Sequence, residues 1–146
     1  MLFFNPGEKI PGIPMIGNKL DLYDDNAHEL YTYRLDYVDY HGKLAYVFEI
    51  KPKEDLGFFA KDRVVVDQMI TWFNPNTLEV LGRNYALSYK AGIYDFNVQM
   101  EVEMTYTSNG LLVPKILRYK GDWDVVFKKR ERGLFTATLF DFKVGE

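Results

Sequence analysis

At 146 residues the chain has the length of one domain, and with 47% hydrophobic residues it is long enough to bury a sizeable core. A formal net charge of −3 disfavours nucleic acid as a partner, and the absence of cysteine excludes disulfides, thiolate catalysis and cysteine-ligated zinc. Aromatics are over-supplied, with 11 tyrosines, 11 phenylalanines and 2 tryptophans, and such side chains favour the pleated, half-buried surface of a sheet.

The first 28 residues read as irregular, because Pro6, Gly7, Pro11, Gly12, Pro14 and Gly17 interrupt any helical period. One short helix is expected within 18–30. Met1-Leu2-Phe3-Phe4 meets Asn5-Pro6-Gly7 at once, without the basic start and about 7–15 apolar residues of a secretory signal. The expectation is either a cytoplasmic protein or the trimmed part of a larger product. No run approaches the roughly 20 apolar residues of a membrane helix.

From residue 29 onward the apolar period is two. Tyr31, Tyr33, Leu35 and Tyr37 alternate with polar residues, His41-Gly42 breaks the run, and Leu44, Tyr46, Phe48 and Ile50 resume it, which predicts a β-hairpin. A polar loop is expected over 52–62. The next strand, 64–73, is apolar on both faces and reads as central. Asn74-Pro75-Asn76-Thr77 predicts a turn. A strand over 78–89 follows, with Gly82 marking a bend or bulge. Over 93–106, Tyr94, Phe96, Val98, Met100, Val102, Met104 and Tyr106 oppose Asp95, Asn97, Gln99, Glu101, Glu103 and Thr105, a pattern a helix would scatter around its axis. Strands over 111–119, with Pro114 at an edge or bulge, and over 121–127 come next. A charged loop over 128–133 and a final strand over 134–144 end the chain.

The expected fold is mainly β: a curved antiparallel meander of about seven to eight strands with little helix, residues 1–28 being an irregular N-terminal segment and 29–146 the sheet. Its apolar face must be covered. A long twisted meander tends to curl, so a half-open or closed barrel with an aromatic interior is expected. Tyr33, Tyr46, Phe48, Trp72, Tyr85, Tyr89, Phe96, Met100 and Met104 are the candidate residues for holding a hydrophobic ligand on that face. The competing reading is that the face is only folding core.

Catalytic and metal chemistry find little support, and no cofactor is expected. His28 and His41 fall in the irregular start and a tight turn, and neither serine lies in a nucleophile elbow. Asp21, Asp24 and Asp25 lack the spacing of a calcium loop and read as helix capping or solvated loop. Glu101 and Glu103 alternate with core residues and read as a wet face rather than a carboxylate pair. Lys128, Lys129, Arg130 and Arg132 form a basic cluster, read as a solvated loop that discourages edge pairing, with contact to an anionic surface as the alternative.

The segment from Asp67 to Val80, an apolar strand ending in Trp72-Phe73 before Asn74-Pro75-Asn76-Thr77, resembles a strand-turn-strand of the bacterial LolA/LolB-like outer-membrane lipoprotein-sorting superfamily. Asn109 to Ile116 resembles that family's later Gly-x-x-x-Pro strand, and Tyr31-x-Tyr33 with Tyr46-x-Phe48-x-Ile50-x-Pro52-Lys53 resembles its preceding hairpin. The resemblance covers roughly 29–143. It implies a half-open barrel with helices filling the concave side, carriage of lipoprotein acyl chains and a periplasmic or envelope location. The chain departs from the family in lacking an export signal and clear lid helices. The expectation is that missing N-terminal sequence, or residues 1–28 with a second copy of the chain, covers the face. The functional alternative is an interaction or structural domain of a larger outer-membrane-associated protein.

Overall fold

The computed structural model describes residues 21–91, 94–126 and 129–143. In order they form α1 (Asp25–Leu30), β1 (Tyr31–Tyr40), β2 (Lys43–Pro52), α2 (Phe58–Lys61), β3 (Val66–Phe73), β4 (Val80–Ala91), β5 (Tyr94–Tyr106), β6 (Leu112–Val125) and β7 (Glu131–Thr138). The seven strands lie in one antiparallel sheet in sequence order, so the chain is a meander. β1 and β7 are its two edges. The sheet is open, and the closed-barrel form of the expectation is not adopted.

Local chemistry accounts for the turns. His41 and Gly42 both take positive φ, 53° and 81°, the geometry of a two-residue hairpin turn whose twist matches its strands. Asn74 Oδ1 accepts the backbone N–H groups of Asn76 and Thr77 at 2.9 and 3.3 Å, which closes the β3–β4 turn.

Several boundaries differ from the sequence reading. The helix expected within 18–30 is α1, begun by Asp24, whose side chain accepts from Asn26 N–H; residues 18–20 lie outside the described residues. The loop over 52–62 contains the single turn α2. The strands expected over 111–119 and 121–127 form one strand, β6, ending at Val125, because Gly121 continues the ladder opposite Val98; residue 127 lies outside the described residues. At Gly121 and Gly133 an added Cβ would meet the Trp123 ring, so glycine here marks close aromatic packing, not a break. Pro114 sits at a register shift, where Glu103 pairs with Ile116 but Met104 pairs with Pro114, and beyond the reach of β7 pairing. β7 ends at Thr138, and 139–143 do not continue it; residue 144, the expected end, lies outside the described residues.

The two core clusters lie on one face, at one end of the sheet. Leu22, Ala27 and Leu30 pack on Tyr31, Ile50 and Val66, with Leu56, Ala60 and Val64 of the β2–β3 connection closing over them. Val65 and Phe96 carry the cover on to Leu87, Tyr89, Val98 and Trp123. Among the described residues no helix is long and apolar enough to cross a membrane.

Candidate functional site

Strand register assembles the aromatic face. Directly paired residues share a face, so one row runs Tyr33, Ile50, Met69, Tyr85, Met100, Tyr119, Phe135 and the next runs Leu35, Phe48, Thr71, Arg83, Val102, Leu117, Ala137. Eight of the nine expected ligand-binding residues lie here. Tyr33 and Phe48 border the covered cluster, Tyr89 and Phe96 belong to its continuation, Tyr85 and Met100 are direct partners, and Tyr46 and Met104 lie toward the opposite end. Trp72 does not join them. It pairs with Gly82 on the polar face and stacks on Tyr40, centroids 4.7 Å apart. β3 is apolar on both sides, so composition alone gave Trp72 no side.

Away from α1 the face is open. Leu35 is 67% exposed, Tyr37 49%, Leu44 57% and Phe135 57%. Tyr37 and Tyr46 pack ring to ring at 5.2 Å. Contiguous exposed apolar area of this kind marks an interaction surface more often than isolated exposed residues do.

Two phenols of this face are partly withdrawn from water. Burial pushes Tyr33 up from the ordinary phenol range, and its hydroxyl donates to the carbonyl of Leu22 at 2.7 Å. Burial also raises Tyr85, opposed in part by the Arg83 charge. The Tyr85 hydroxyl donates to Met100 Sδ at 2.7 Å. Arg83 is a cation on a mainly apolar face, and its Nε donates to Oγ1 of the fully buried Thr71 at 3.0 Å.

The opposite face carries the ionic network. Glu101 pairs with Arg118 at 2.7 Å, Glu103 with Lys115 at 3.3 Å, and Asp122 with both Arg130 and Arg132. A depression of about 400 Å³ lies mainly on this side, over Gln68, Asn84, Gln99, Arg118, Leu134 and Thr136. Arg130 and Arg132 of the basic cluster are thus engaged within the sheet, and Lys128 lies outside the described residues. His41 sits 3.9 Å from Glu103 and edge-on to Tyr40, while His28 packs on Tyr33 at 4.9 Å. Among the described residues no three His, Asp or Glu side chains are grouped to hold a metal ion.

Two features escaped the sequence reading. Arg83 lies on the aromatic face, between Thr71 and Val102, and periodicity carries no information about charge pairing. Tyr40 lies over Gly82, where an added Cβ would meet its hydroxyl; the signal was a glycine inside a strand, which marks close approach as well as bulges.

Compared with known proteins, the chain matches no family model, no curated protein and no solved structure.

Proposed function

We propose that the chain is a non-catalytic domain of the bacterial envelope that binds a hydrophobic ligand, a lipid or a lipoprotein acyl chain, on the open part of its aromatic face. The supporting observation is the one-sided cover. α1 and the β2–β3 connection bury one end of the face, while Leu35, Tyr37 and Leu44 stay largely exposed at the other. Burying hydrocarbon contributes roughly 0.8 kcal/mol per CH₂, so a shallow surface suffices for a long chain. The envelope location rests on the resemblance of 67–80 and 109–116 to the lipoprotein-sorting superfamily.

Native mass spectrometry of gently purified protein tests this. A retained lipid mass, displaced by added long-chain amphiphile, is expected. Protein that carries no lipid and takes up none from detergent-free lipid suspension rejects it.

A second reading, an interaction or structural domain in which the face serves as core, draws on the two buried clusters that already occupy part of it. A second copy of the chain covering the open part belongs to this reading, and a dimer that excludes added lipid distinguishes it.

A further inference from the structure

Arg83 stands apart electrostatically. Most charged side chains of the sheet lie on the polar face, where Glu49, Glu101, Glu103 and Asp122 already hold Lys51, Arg118, Lys115, Arg130 and Arg132. Register places Arg83 on the other face, between Thr71 and Val102. No other paired residue on that face is a cation. Among the described residues Arg83 forms no ion pair, and its side-chain hydrogen bond to Thr71 uses Nε, leaving both terminal nitrogens. A partly buried guanidinium without an anion is costly, and its planar fork matches a carboxylate.

Resting on the reading of this face as a ligand surface, we propose that its ligand is a fatty acid, with the carboxylate on the terminal nitrogens of Arg83 and the alkyl chain lying across Phe48 toward Leu35. Both residues share the Arg83 row. The row crosses three strand spacings, about 14 Å, and ends at the exposed edge strand. Phe48 packs against the covered cluster and Leu35 is open, so the chain runs along the border between dry and wet surface. A single cation suits one small head group. A phosphate with further substituents calls for more donors than this face supplies. A lipoprotein acyl chain, held by ester or amide, has no charge to offer Arg83.

The test is displacement of the neutral dye Nile red from the purified chain at about pH 8, above the carboxylate range. The competitors are dodecanoate, dodecanol and dodecyl phosphate. Dodecanoate is expected to displace the dye at about tenfold lower concentration than dodecanol, the difference expected of a charge-assisted hydrogen bond. In Arg83→Gln that advantage falls to within about twofold, and Arg83→Lys retains part of it, since it keeps the charge and loses the fork. Equal displacement by dodecanoate and dodecanol overturns the head-group assignment and leaves the hydrophobic-ligand reading standing. Failure of the dye and all three competitors to bind rejects both. Tighter binding of dodecyl phosphate overturns the choice of a fatty acid. The comparison of competitors on the unaltered chain decides the matter even if both variants fail to fold.

Discussion

The phenol oxygen of Tyr31 accepts the backbone N–H of Val66 at 3.2 Å, joining residues 35 positions apart, and it accepts that of Val65 at 3.3 Å. One side chain at the start of β1 thus satisfies the two buried amides that lead into β3, where all three residues are almost fully buried. Tyr31→Phe keeps the ring and removes the acceptor. Leaving buried donors unpaired costs about 1–3 kcal/mol each, so the variant is expected to lose a few kcal/mol in urea unfolding. An unchanged midpoint contradicts this role.

Gly82→Ala tests the close approach of Tyr40. The new methyl group meets the Tyr40 hydroxyl and the Val102 carbonyl, so the Tyr40 ring has to leave its stack on Trp72. Overpacking of this kind costs roughly 1–3 kcal/mol. In a Trp123→Phe background, which leaves Trp72 as the sole tryptophan, a shift in its emission is expected with the fall in melting temperature.

Glu49 predicts an acid limb in stability. The Lys51 side chain, followed by Gln68, holds its carboxyl below the usual range against the opposing effect of burial. A carboxyl with a depressed folded-state pKa contributes in full above its unfolded value of about 4.3 and loses that contribution as pH falls through the lower folded value. Glu49→Gln is therefore expected to flatten the loss of stability below about pH 4.3, with the difference from the unaltered chain greatest at neutral pH. Parallel pH profiles for the two proteins rule out this contribution.

The two sheet edges are not equally protected. β1 carries Arg34, Asp36 and Asp39 along its length, whereas the charges of β7 stop at Glu131 and Arg132 and its remainder, Gly133 to Thr138, has none, with Leu134 84% exposed. Natural edges are commonly blunted by charge, and an uncharged stretch of edge invites pairing with another chain. Leu134→Lys is expected to reduce concentration-dependent self-association in sedimentation experiments while changing stability by no more than about 0.5 kcal/mol. If the chain is monomeric at every concentration, β7 is not a pairing edge.

Much of this fold was legible because period-two alternation is a direct readout of sheet faces. Tyr94 through Tyr106 is apolar on even positions and polar on odd ones, and the register bears out each assignment from Phe96 to Met104. What alternation does not encode is cover. Nothing in Leu35 or Ile50 taken singly says that Ile50 is sealed by α1 while Leu35 faces solvent. Trp72 went astray because β3 offers apolar side chains in both directions, and Gly121 because close packing by Trp123 has the same sequence signature as a break. Arg83 shows a third kind of silence: that it forms no ion pair among the described residues depends on where seven strands place their acids, which no single strand records.

That difference between Ile50 and Leu35 allows binding to be separated from folding. Both lie on the aromatic face, Ile50 with no exposed surface and Leu35 67% exposed. Ile50→Ala removes buried methyl groups and is expected to cost about 2–5 kcal/mol of stability. Leu35→Ser changes a site already in water, so its effect on folding should remain within about 0.5 kcal/mol. If the open part of the face holds a hydrophobic chain, Leu35→Ser forfeits contact area there and weakens Nile red binding severalfold with melting temperature preserved. If the face is only core, the two properties move together, and Leu35→Ser leaves both where they were.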